Sequence, residues 1–235
     1  MKKIKLVKED FTKRVFSTEN DENLVVEFLD AFEVKGTSNV IPGKGLINLT
    51  LVTKLFEYLE GYHIPTYFVK NLEEGILIKN PAPLPFKVVV SNFNTPALHE
   101  RFGMEVDKEL SHPVVELFLK ESEQEYPLIN ASHAIAFSLV NAEDMSHVTR
   151  LSTKINAVLK SFFLRREMKL ISFELEYGIS KKKVMVNSEL TLDTISLIDL
   201  KTSQKLDKSF YEQDKSDIST AIEGLQQKLI GENNN

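Results

Sequence analysis

The sequence predicts an α+β protein with a β-rich N-terminal lobe, a larger α+β C-terminal lobe and a cleft between them. Three observations predict this fold class. Short apolar runs separated by polar turns dominate the first third of the chain. Longer segments carry apolar residues at helical spacing. Residues 80–85 (NPAPLP) contain three prolines in six positions and form the best candidate for a hinge between lobes.

Composition limits the classes of partner. The chain has 235 residues, of which 42% are hydrophobic and 27% charged, and its formal net charge is −5. This acidic balance argues against a nucleic-acid partner, because nucleic-acid-binding domains are usually basic. No apolar run approaches the roughly 18 residues that a membrane span needs, and the absence of cysteine excludes disulfides and thiolate sites. We therefore expect a cytoplasmic protein with neither nucleic-acid nor membrane partners.

The predicted N-terminal lobe, residues 1–80, contains a first strand at its basic start (MKKIKLVK), four further strands and one helix. Apolar residues recur at helical spacing from Leu46 to Leu59, and Gly61 is a suitable stop signal. The sequence Gly43-Lys44-Gly45 before this helix lacks the spacing of a phosphate-binding loop, so it is interpreted as the loop that enters the helix. The four apolar runs that predict strands are residues 13–17, 24–29, 67–69 and 76–79.

The predicted C-terminal lobe, residues 81–235, begins with an apolar strand over residues 86–91. Asn141 is a good N-cap for a long helix that continues to about Arg166, with an apolar stripe that runs from Met145 to Phe162. A last amphipathic helix has four apolar residues on one face and ends near Gly231; the four are Ile218, Ile222, Leu225 and Leu229. Residues 232–235 are expected to be a disordered tail.

The most informative stretch is residues 171–199. It opens with ISFELEYG, in which apolar and polar residues alternate as in a strand with one buried face, and Gly178 is expected to end that strand. Glu174 and Glu176 therefore point to the same side, opposite the core. Two carboxylates on one strand face can hold a divalent cation beside a nucleotide. The alternative is that they form the solvated outer face of an edge hairpin, whose turn is residues 181–183.

Several segments resemble the SAICAR synthetase family, whose members are ATP-dependent ligases of purine synthesis that join aspartate to a carboxyaminoimidazole ribotide. The similar segments occur in the family's order and cover most of the chain. They are FSTEN (16–20), KGLINLT (44–50), HIPT (63–66), LSTKINAVLKSFF (151–163), ISFELEYG (171–178) and NSELTLDTISLID (187–199). The resemblance implies a SAICAR-synthetase-like two-lobed fold with a nucleotide cleft.

The resemblance also implies the site residues. Lys13 and Lys79 match lysines that approach ATP, and Glu176 matches a glutamate associated with Mg²⁺. ATP and Mg²⁺ are therefore the expected cofactors. Asn92 and Asn130 match asparagines in segments that hold the substrate. The resemblance assigns no catalytic residue beyond these.

Other positions of the family's pattern are replaced. Ser91, Phe93 and Ser196 occupy positions where the resemblance implies arginines that grip the ribotide. Ser188 occupies the position of an acidic partner of Glu176, and Glu174 that of a lysine. A charge-assisted hydrogen bond contributes roughly 1.5–3 kcal/mol, so the loss of several predicts much weaker ribotide binding.

These replacements favour the interpretation that the chain is a diverged homologue, an ATP-dependent carboxylate–amine ligase whose purine-pathway reaction is doubtful. Its partners would be a nucleotide, a small carboxylic acid and further copies of the chain. A second interpretation is a pseudoenzyme that reuses the fold for binding or assembly. A third is an authentic SAICAR synthetase, in which Arg101 or Arg150 compensates for the missing arginines.

Overall fold

Two antiparallel sheets organise the computed structural model, which describes residues 3–34, 37–120, 126–207 and 223–229. In chain order the elements are β1 (Lys3–Glu9), β2 (Lys13–Thr18), β3 (Asn23–Phe28), β4 (Ala31–Val34), β5 (Thr37–Val40), α1 (Lys44–Gly61), β6 (Phe68–Leu72), β7 (Gly75–Lys79), β8 (Ala82–Phe93), α2 (Pro96–Phe102), β9 (Glu109–Leu119), β10 (Leu128–Ile129), α3 (Ala131–Ala136), α4 (Ala142–Leu164), β11 (Met168–Ser180), β12 (Lys183–Val186), β13 (Ile195–Asp199), β14 (Lys205–Leu206) and α5 (223–229). The predicted α+β class is confirmed.

The N-terminal sheet has five strands in the order β1-β2-β3-β7-β6. The predicted hairpin and strand pair form four of its five strands, because β2 pairs with β3 and β6 pairs with β7. The predicted helix is α1, and its residues Leu51, Leu55 and Leu59 are fully buried. Burial of this apolar face supplies most of the helix's stability.

The predicted proline hinge is shorter than the sequence suggested. Strand β8 already begins at Ala82, so only residues 80–81 connect the two sheets. Pro83 is tolerated near the start of the strand, where it lies opposite Gly178 of β11. Gly178 does not end β11 as predicted, because a side chain there would approach Pro81 to within 2.9 Å and glycine lets the strand pass. The lobe boundary predicted at residue 80 stays a prediction, although the sheets do change here.

The C-terminal sheet contains seven strands, six of them in the order β10-β9-β8-β11-β13-β14, with β12 paired to β11. Strand β11 lies in the middle of this sheet between β8 and β13, so the alternative of an edge hairpin is wrong. The buried residues Phe173, Leu175 and Tyr177 alternate with Glu174 and Glu176, as predicted.

Helix α4 covers one face of this sheet. It starts at the predicted cap, Asn141, whose side chain accepts a hydrogen bond from the backbone N–H of Asp144 at 2.8 Å. Its serine Ser152 lies 2.8 Å from the Tyr177 hydroxyl, so the odd-numbered apolar residues of β11 face α4. Glu174 and Glu176 therefore lie on the opposite face of the sheet.

The segment between residues 92 and 134 gave no clear sequence pattern. It contains α2, β9, β10 and α3. The two helices of this segment are short and bury little apolar surface, and caps rather than periodicity define them: Thr95 caps α2 and Asn130 caps α3.

The last predicted helix is only partly described. Residues 223–229 are helical, and Leu225 and Leu229 are buried as predicted. Ile218, Ile222 and the predicted tail at residues 232–235 lie outside the described residues. Within the described part of the chain, no helix combines the length and apolar character that a membrane crossing requires.

Candidate active site

A cleft lies on the face of the C-terminal sheet opposite α4. It consists of two pockets of about 360 and 450 Å³, and both are lined by Val89, Thr95, Pro96, Ser172 and Glu174. The strand alternation explains this composition, because the odd-numbered residues of β8 lie opposite the even-numbered residues of β11 in the antiparallel register. The combined space is in the range of pockets that hold small-molecule ligands.

Four charged side chains form a central ion-pair cluster beside this cleft: Lys13, Lys120, Glu176 and Glu189. The ammonium of Lys13, on β2 of the N-terminal sheet, binds the carboxylate of Glu189. Lys120 follows β9 and donates to Glu176 at 2.7 Å. The cluster therefore joins the two sheets through charge.

The carboxylates of the cluster shift the pKa values of Lys13 and of the neighbouring Tyr67. Burial by itself lowers the pKa of Lys13, but the carboxylates of Glu189, Asp10 and Glu176 raise the pKa above its ordinary value. Burial raises the pKa of the Tyr67 phenol well above its usual range, and the fields of Glu189 and Glu176 raise it further. Lys13 is thus held as a cation and Tyr67 as a neutral hydroxyl beside two carboxylates.

The predicted ATP ligand Lys79 lies at the junction between the sheets. Its ammonium donates to the backbone carbonyl of Thr66 at 2.9 Å, and its backbone N–H donates to Tyr67 at 2.7 Å. Tyr67 in turn donates its own N–H to Val186 of β12. Tyr67 therefore lies between Lys79 and the cluster, and Lys79 is not a member of the cluster.

Glu176 has a direct link to the position where a second acidic residue was expected. The backbone N–H of Glu176 donates to the hydroxyl of Ser188 at 2.8 Å. The next residue along the chain, Glu189, brings a carboxylate to the cluster. The described residues contain no group of three or more metal-ligating side chains. One or two carboxylates suit Mg²⁺, which usually keeps waters and phosphate oxygens as its other ligands.

The second predicted carboxylate, Glu174, is already neutralised. Lys87, its neighbour on β8, donates to it at 2.9 Å and lies 4.5 Å from the centre of the Tyr126 ring. The replacement of a lysine by Glu174 therefore does not place an unpaired negative charge in the cleft.

Two cations line the cleft that the sequence resemblance did not assign. Arg101 on α2 binds Glu116 at 2.7 Å, and Lys205 on β14 binds Asp107 at 2.6 Å. Ser196 also lines the cleft, and its hydroxyl donates to Asp207 at 3.0 Å. Arg150, the other arginine considered as a substitute, lies on α4 on the opposite side of the sheet.

The two predicted substrate asparagines have structural partners. Asn92 is 1% exposed, and its amide forms two reciprocal hydrogen bonds of 2.8 and 2.9 Å with Asn156 of α4. It therefore faces the helix, not the cleft. The Asn130 side chain caps α3 by accepting from the backbone N–H of His133 at 2.9 Å. The structure does not bring either asparagine to the ion-pair cluster, and their binding roles stay predictions.

Sequence reasoning missed an ion pair between distant segments. Lys44, interpreted as part of a loop, is fully buried at the start of α1 and donates to Asp193 at 2.7 Å. Asn48 also donates to this carboxylate, at 3.2 Å. Asp193 lines the cleft. The two charged partners lie 149 residues apart, so no local pattern could reveal the pair.

A model of the SAICAR synthetase family matches residues 7–229. The phosphoribosylaminoimidazole-succinocarboxamide synthase of Chloroherpeton thalassium is 35% identical, with 98% of this chain and 100% of that relative covered. The corresponding synthase of Chlorobium phaeobacteroides is 33% identical, with 98% and 99% covered. The chain belongs to the SAICAR synthetase family.

Solved structures support the same fold. The synthase from Ehrlichia chaffeensis has a TM-score of 0.90 at 24% identity, with 98% of this chain and 100% of that chain covered. A SAICAR synthetase in complex with ADP has a TM-score of 0.89 at 28% identity, with 96% and 97% covered. The SAICAR synthetase of Pyrococcus horikoshii has a TM-score of 0.86 at 28% identity, with 94% and 98% covered.

These findings overturn the expectation of a diverged homologue with a doubtful purine-pathway reaction. The relatives that match over almost their whole length are named as the synthase itself, and nothing supports a pseudoenzyme. The third interpretation, an authentic SAICAR synthetase, fits better. The expectation rested on cations counted position by position, whereas Arg101, already named as a possible substitute, and Lys205, which was not named, reach the cleft from other elements.

Proposed function

We propose that this chain is a phosphoribosylaminoimidazole-succinocarboxamide synthase, which uses ATP to join the amine of aspartate to the carboxylate of carboxyaminoimidazole ribotide. The full-length similarity to synthases named for this activity supports the proposal. The structural observation that carries it is the ion-pair cluster. In it Lys13 of the N-terminal sheet binds Glu189, and Lys120 binds Glu176, which lies two residues along β11 from the cleft residue Glu174.

ATP is expected to bind at the junction of the two sheets. Lys13 and Lys79 would contact its phosphates, and Glu176, assisted by Glu189, would hold Mg²⁺. The bound ion would neutralise the oxygens of the transferring phosphoryl group. The present partners of Lys13 and Glu176 are of opposite charge, and that of Lys79 is a backbone carbonyl. Ligand oxygens and the ion can therefore replace these partners without leaving a buried charge unpaired. A 28% identical relative was solved in complex with ADP, which supports nucleotide binding by this chain.

The ribotide is expected to bind in the two pockets along β8, β11 and β13. Its phosphate would be bound by Arg101 or Lys205, which take the place of the arginines absent at Ser91 and Ser196. Arg101 offers the planar fork that matches a phosphate, and its present partner is the carboxylate of Glu116. Activation of the ribotide carboxylate by phosphoryl transfer, followed by attack of the aspartate amine, forms the amide bond and releases phosphate.

The test is a turnover assay with the purified chain, Mg²⁺-ATP, aspartate and carboxyaminoimidazole ribotide. We expect the succinocarboxamide product and ADP in equal amounts, and no product when any one substrate is omitted. Lys13→Ala should lower the rate by about 10²–10³-fold, because it removes a cation from the transferring phosphates.

Lys160→Ala provides a matched control, since Lys160 is an exposed lysine on α4 away from the cleft. It should leave the rate unchanged. A folded protein that forms no product in a single turnover, with enzyme in excess over ribotide, would refute the proposal.

A cytoplasmic location and a homo-oligomeric assembly remain predictions. Fractionation of cells and light scattering of the purified chain would test them.

A further inference from the structure

A second, strongly basic pocket lies outside the cleft. Its volume is about 290 Å³, and part of its wall is apolar, formed by Pro65, Leu151 and Val184. The remaining lining side chains are all basic: His147, Arg150, Lys154, Lys182 and Lys183.

No carboxylate balances this charge among the described residues that line the pocket. Lys154 donates to the backbone carbonyl of Tyr62 at 2.7 Å, which does not neutralise it. Arg150 and Lys154 are four residues apart on one helix, where like charges repel each other. This concentration of positive charge occurs in a chain whose formal net charge is −5.

The hairpin turn that supplies Lys182 and Lys183 to the pocket has a backbone conformation that lysine disfavours. Lys181 and Lys182 have φ values of 51° and 62°, the left-handed conformation at both central positions of a two-residue hairpin turn between β11 and β12. Asn-Gly or Asp-Gly is favoured in such turns, because a β-carbon disfavours positive φ. Lysine at Lys182 therefore accepts backbone strain, and strain of this kind is a pointer to a functional role.

The basic pocket is separate from the cleft that is proposed to bind the ribotide. His147, Arg150 and Lys154 belong to α4, which packs on the face of the C-terminal sheet that Tyr177 occupies. The cleft lies on the other face, with Glu174 and Glu176. A ligand in the basic pocket would therefore not compete with one in the cleft by direct contact.

We propose that this pocket binds a small polyphosphate anion, such as inorganic triphosphate or the phosphate chain of a nucleotide. Arginine and lysine are the side chains that bind phosphate oxygens most strongly, through charge-assisted hydrogen bonds. The volume of about 290 Å³ suits a short phosphate chain better than an extended polymer, and the acidic balance of the whole chain disfavours a nucleic acid.

The experiment is a titration of the full chain, labelled with ¹⁵N, with inorganic triphosphate in the absence of Mg²⁺. We expect saturable shifts of the backbone amides of residues 147–154 and 182–184. Their midpoint should occur at a different ligand concentration from that of any shifts in the cleft. A parallel titration with ATP identifies the source of the phosphate: at least tenfold tighter binding of ATP would indicate a nucleotide, and equal binding the phosphate chain alone.

Two variants test the assignment to these residues. Arg150→Gln should weaken triphosphate binding at the pocket by at least tenfold. Lys182→Gly should weaken it similarly and at the same time raise the thermal midpoint, because glycine relieves the positive φ. The control Lys160→Ala removes one positive charge from the same helix outside the pocket, and should change the affinity less than twofold.

Several results would overturn the proposal. The first is a set of shifts confined to the cleft or to the ion-pair cluster, and the second is pocket shifts that do not saturate. The third is an equal loss of affinity in Lys160→Ala, which would indicate only a general attraction of the anion to positive charges on the chain. Retained affinity in Arg150→Gln would likewise exclude this pocket even if Lys182→Gly failed to fold.

Discussion

The two faces of the C-terminal sheet satisfy their polar groups in different ways. On the face toward α4, the polar side chains are neutral, buried and paired with each other: Asn92 with Asn156, and Tyr177 with Ser152. On the cleft face they are charged and partly exposed. The side chains of Glu174 and Glu176 are 35% and 38% exposed, and each is paired with a lysine.

This difference separates structural groups from groups available to a ligand. A buried amide pair has no substitute partner, so breaking it leaves donors and acceptors unsatisfied. A partly exposed ion pair contributes little to stability, and water or a ligand oxygen can replace either partner. The cleft face can therefore exchange partners during binding, whereas the helix face holds the sheet in shape.

The ion pair between Lys44 and Asp193 lies between these two types and gives the largest expected effect on stability. Asp193→Asn would remove the charge from the cleft side and leave the fully buried Lys44 ammonium without its carboxylate. We expect a loss of about 3–5 kcal/mol in the free energy of unfolding, the usual cost of breaking a buried pair. Urea denaturation would measure it.

The double variant Lys44→Met with Asp193→Asn removes the buried charge as well and should recover part of that loss. If Asp193→Asn alone costs less than about 1 kcal/mol, a typical surface effect, then this pair belongs with the exchangeable ion pairs of the cleft face.

Glu176→Gln tests the exchangeable class directly. It keeps the size of the side chain but removes the charge that pairs with Lys120 and is proposed to hold Mg²⁺. We expect synthase activity to fall by about 10²–10³-fold. The free energy of unfolding should change by less than about 1 kcal/mol, because the pair is partly exposed.

Steady-state kinetics and denaturation on the same sample would give both numbers. Glu57→Gln, at an exposed glutamate of α1, is the matched control. A large loss of stability in Glu176→Gln would show that the cluster holds the two sheets together rather than serving a ligand.

Asn156→Ala tests the structural class. It leaves the amide of Asn92 buried without its two hydrogen bonds, which should cost about 1–3 kcal/mol. A double-mutant cycle with Asn92→Ala should show that the two losses are not additive. Unchanged ribotide KM in Asn92→Ala would place this asparagine outside the substrate site, whereas a raised KM with little loss of stability would restore its predicted binding role.

The sequence predicted the elements with strong periodicity. Strand β11 and helix α4 were found with their buried faces and, for α4, its cap, because alternation and helical spacing are local signals. The orientation of Asn92 was not predictable in the same way. Its strand, β8, is apolar on both faces through Val88, Val89 and Val90, so no alternation shows which side faces the cleft.

The cleft itself depends on contacts between distant segments. Lys13 and Glu189 are 176 residues apart, and Arg101 and Lys205 reach the same cleft from α2 and β14. A family pattern read position by position cannot show which cations reach a pocket, since a cation can enter it from any element around it. The charge of a site is the sum over all the side chains around the pocket, whereas the family's sequence pattern describes single positions.

The smallest expected effect concerns the buried phenols. Burial raises the pKa of Tyr177, despite its hydrogen bond with Ser152, and burial also raises that of Tyr67. The unfolded chain ionises near the ordinary value of 10.0, and the folded chain does not. Above that pH the unfolded state binds fewer protons, so the stability that these groups contribute is present below about pH 10 and is lost as the pH rises.

Tyr177→Phe removes one of these groups. At neutral pH it should cost only about 1 kcal/mol, the usual net value of a hydrogen bond, because Ser152 retains its bond to the Val148 carbonyl. Between pH 10 and 11.5 the decline in the free energy of unfolding should become shallower by up to about 1.4 kcal/mol per pH unit, the value of one proton. Urea denaturation at several pH values would measure both, with Tyr62→Phe on an exposed ring as control. An unchanged dependence of the free energy of unfolding on pH would mean that Tyr177 ionises in the folded protein as readily as in the unfolded chain. Water would then reach the sheet face toward α4 more easily than its hydrogen bonds indicate.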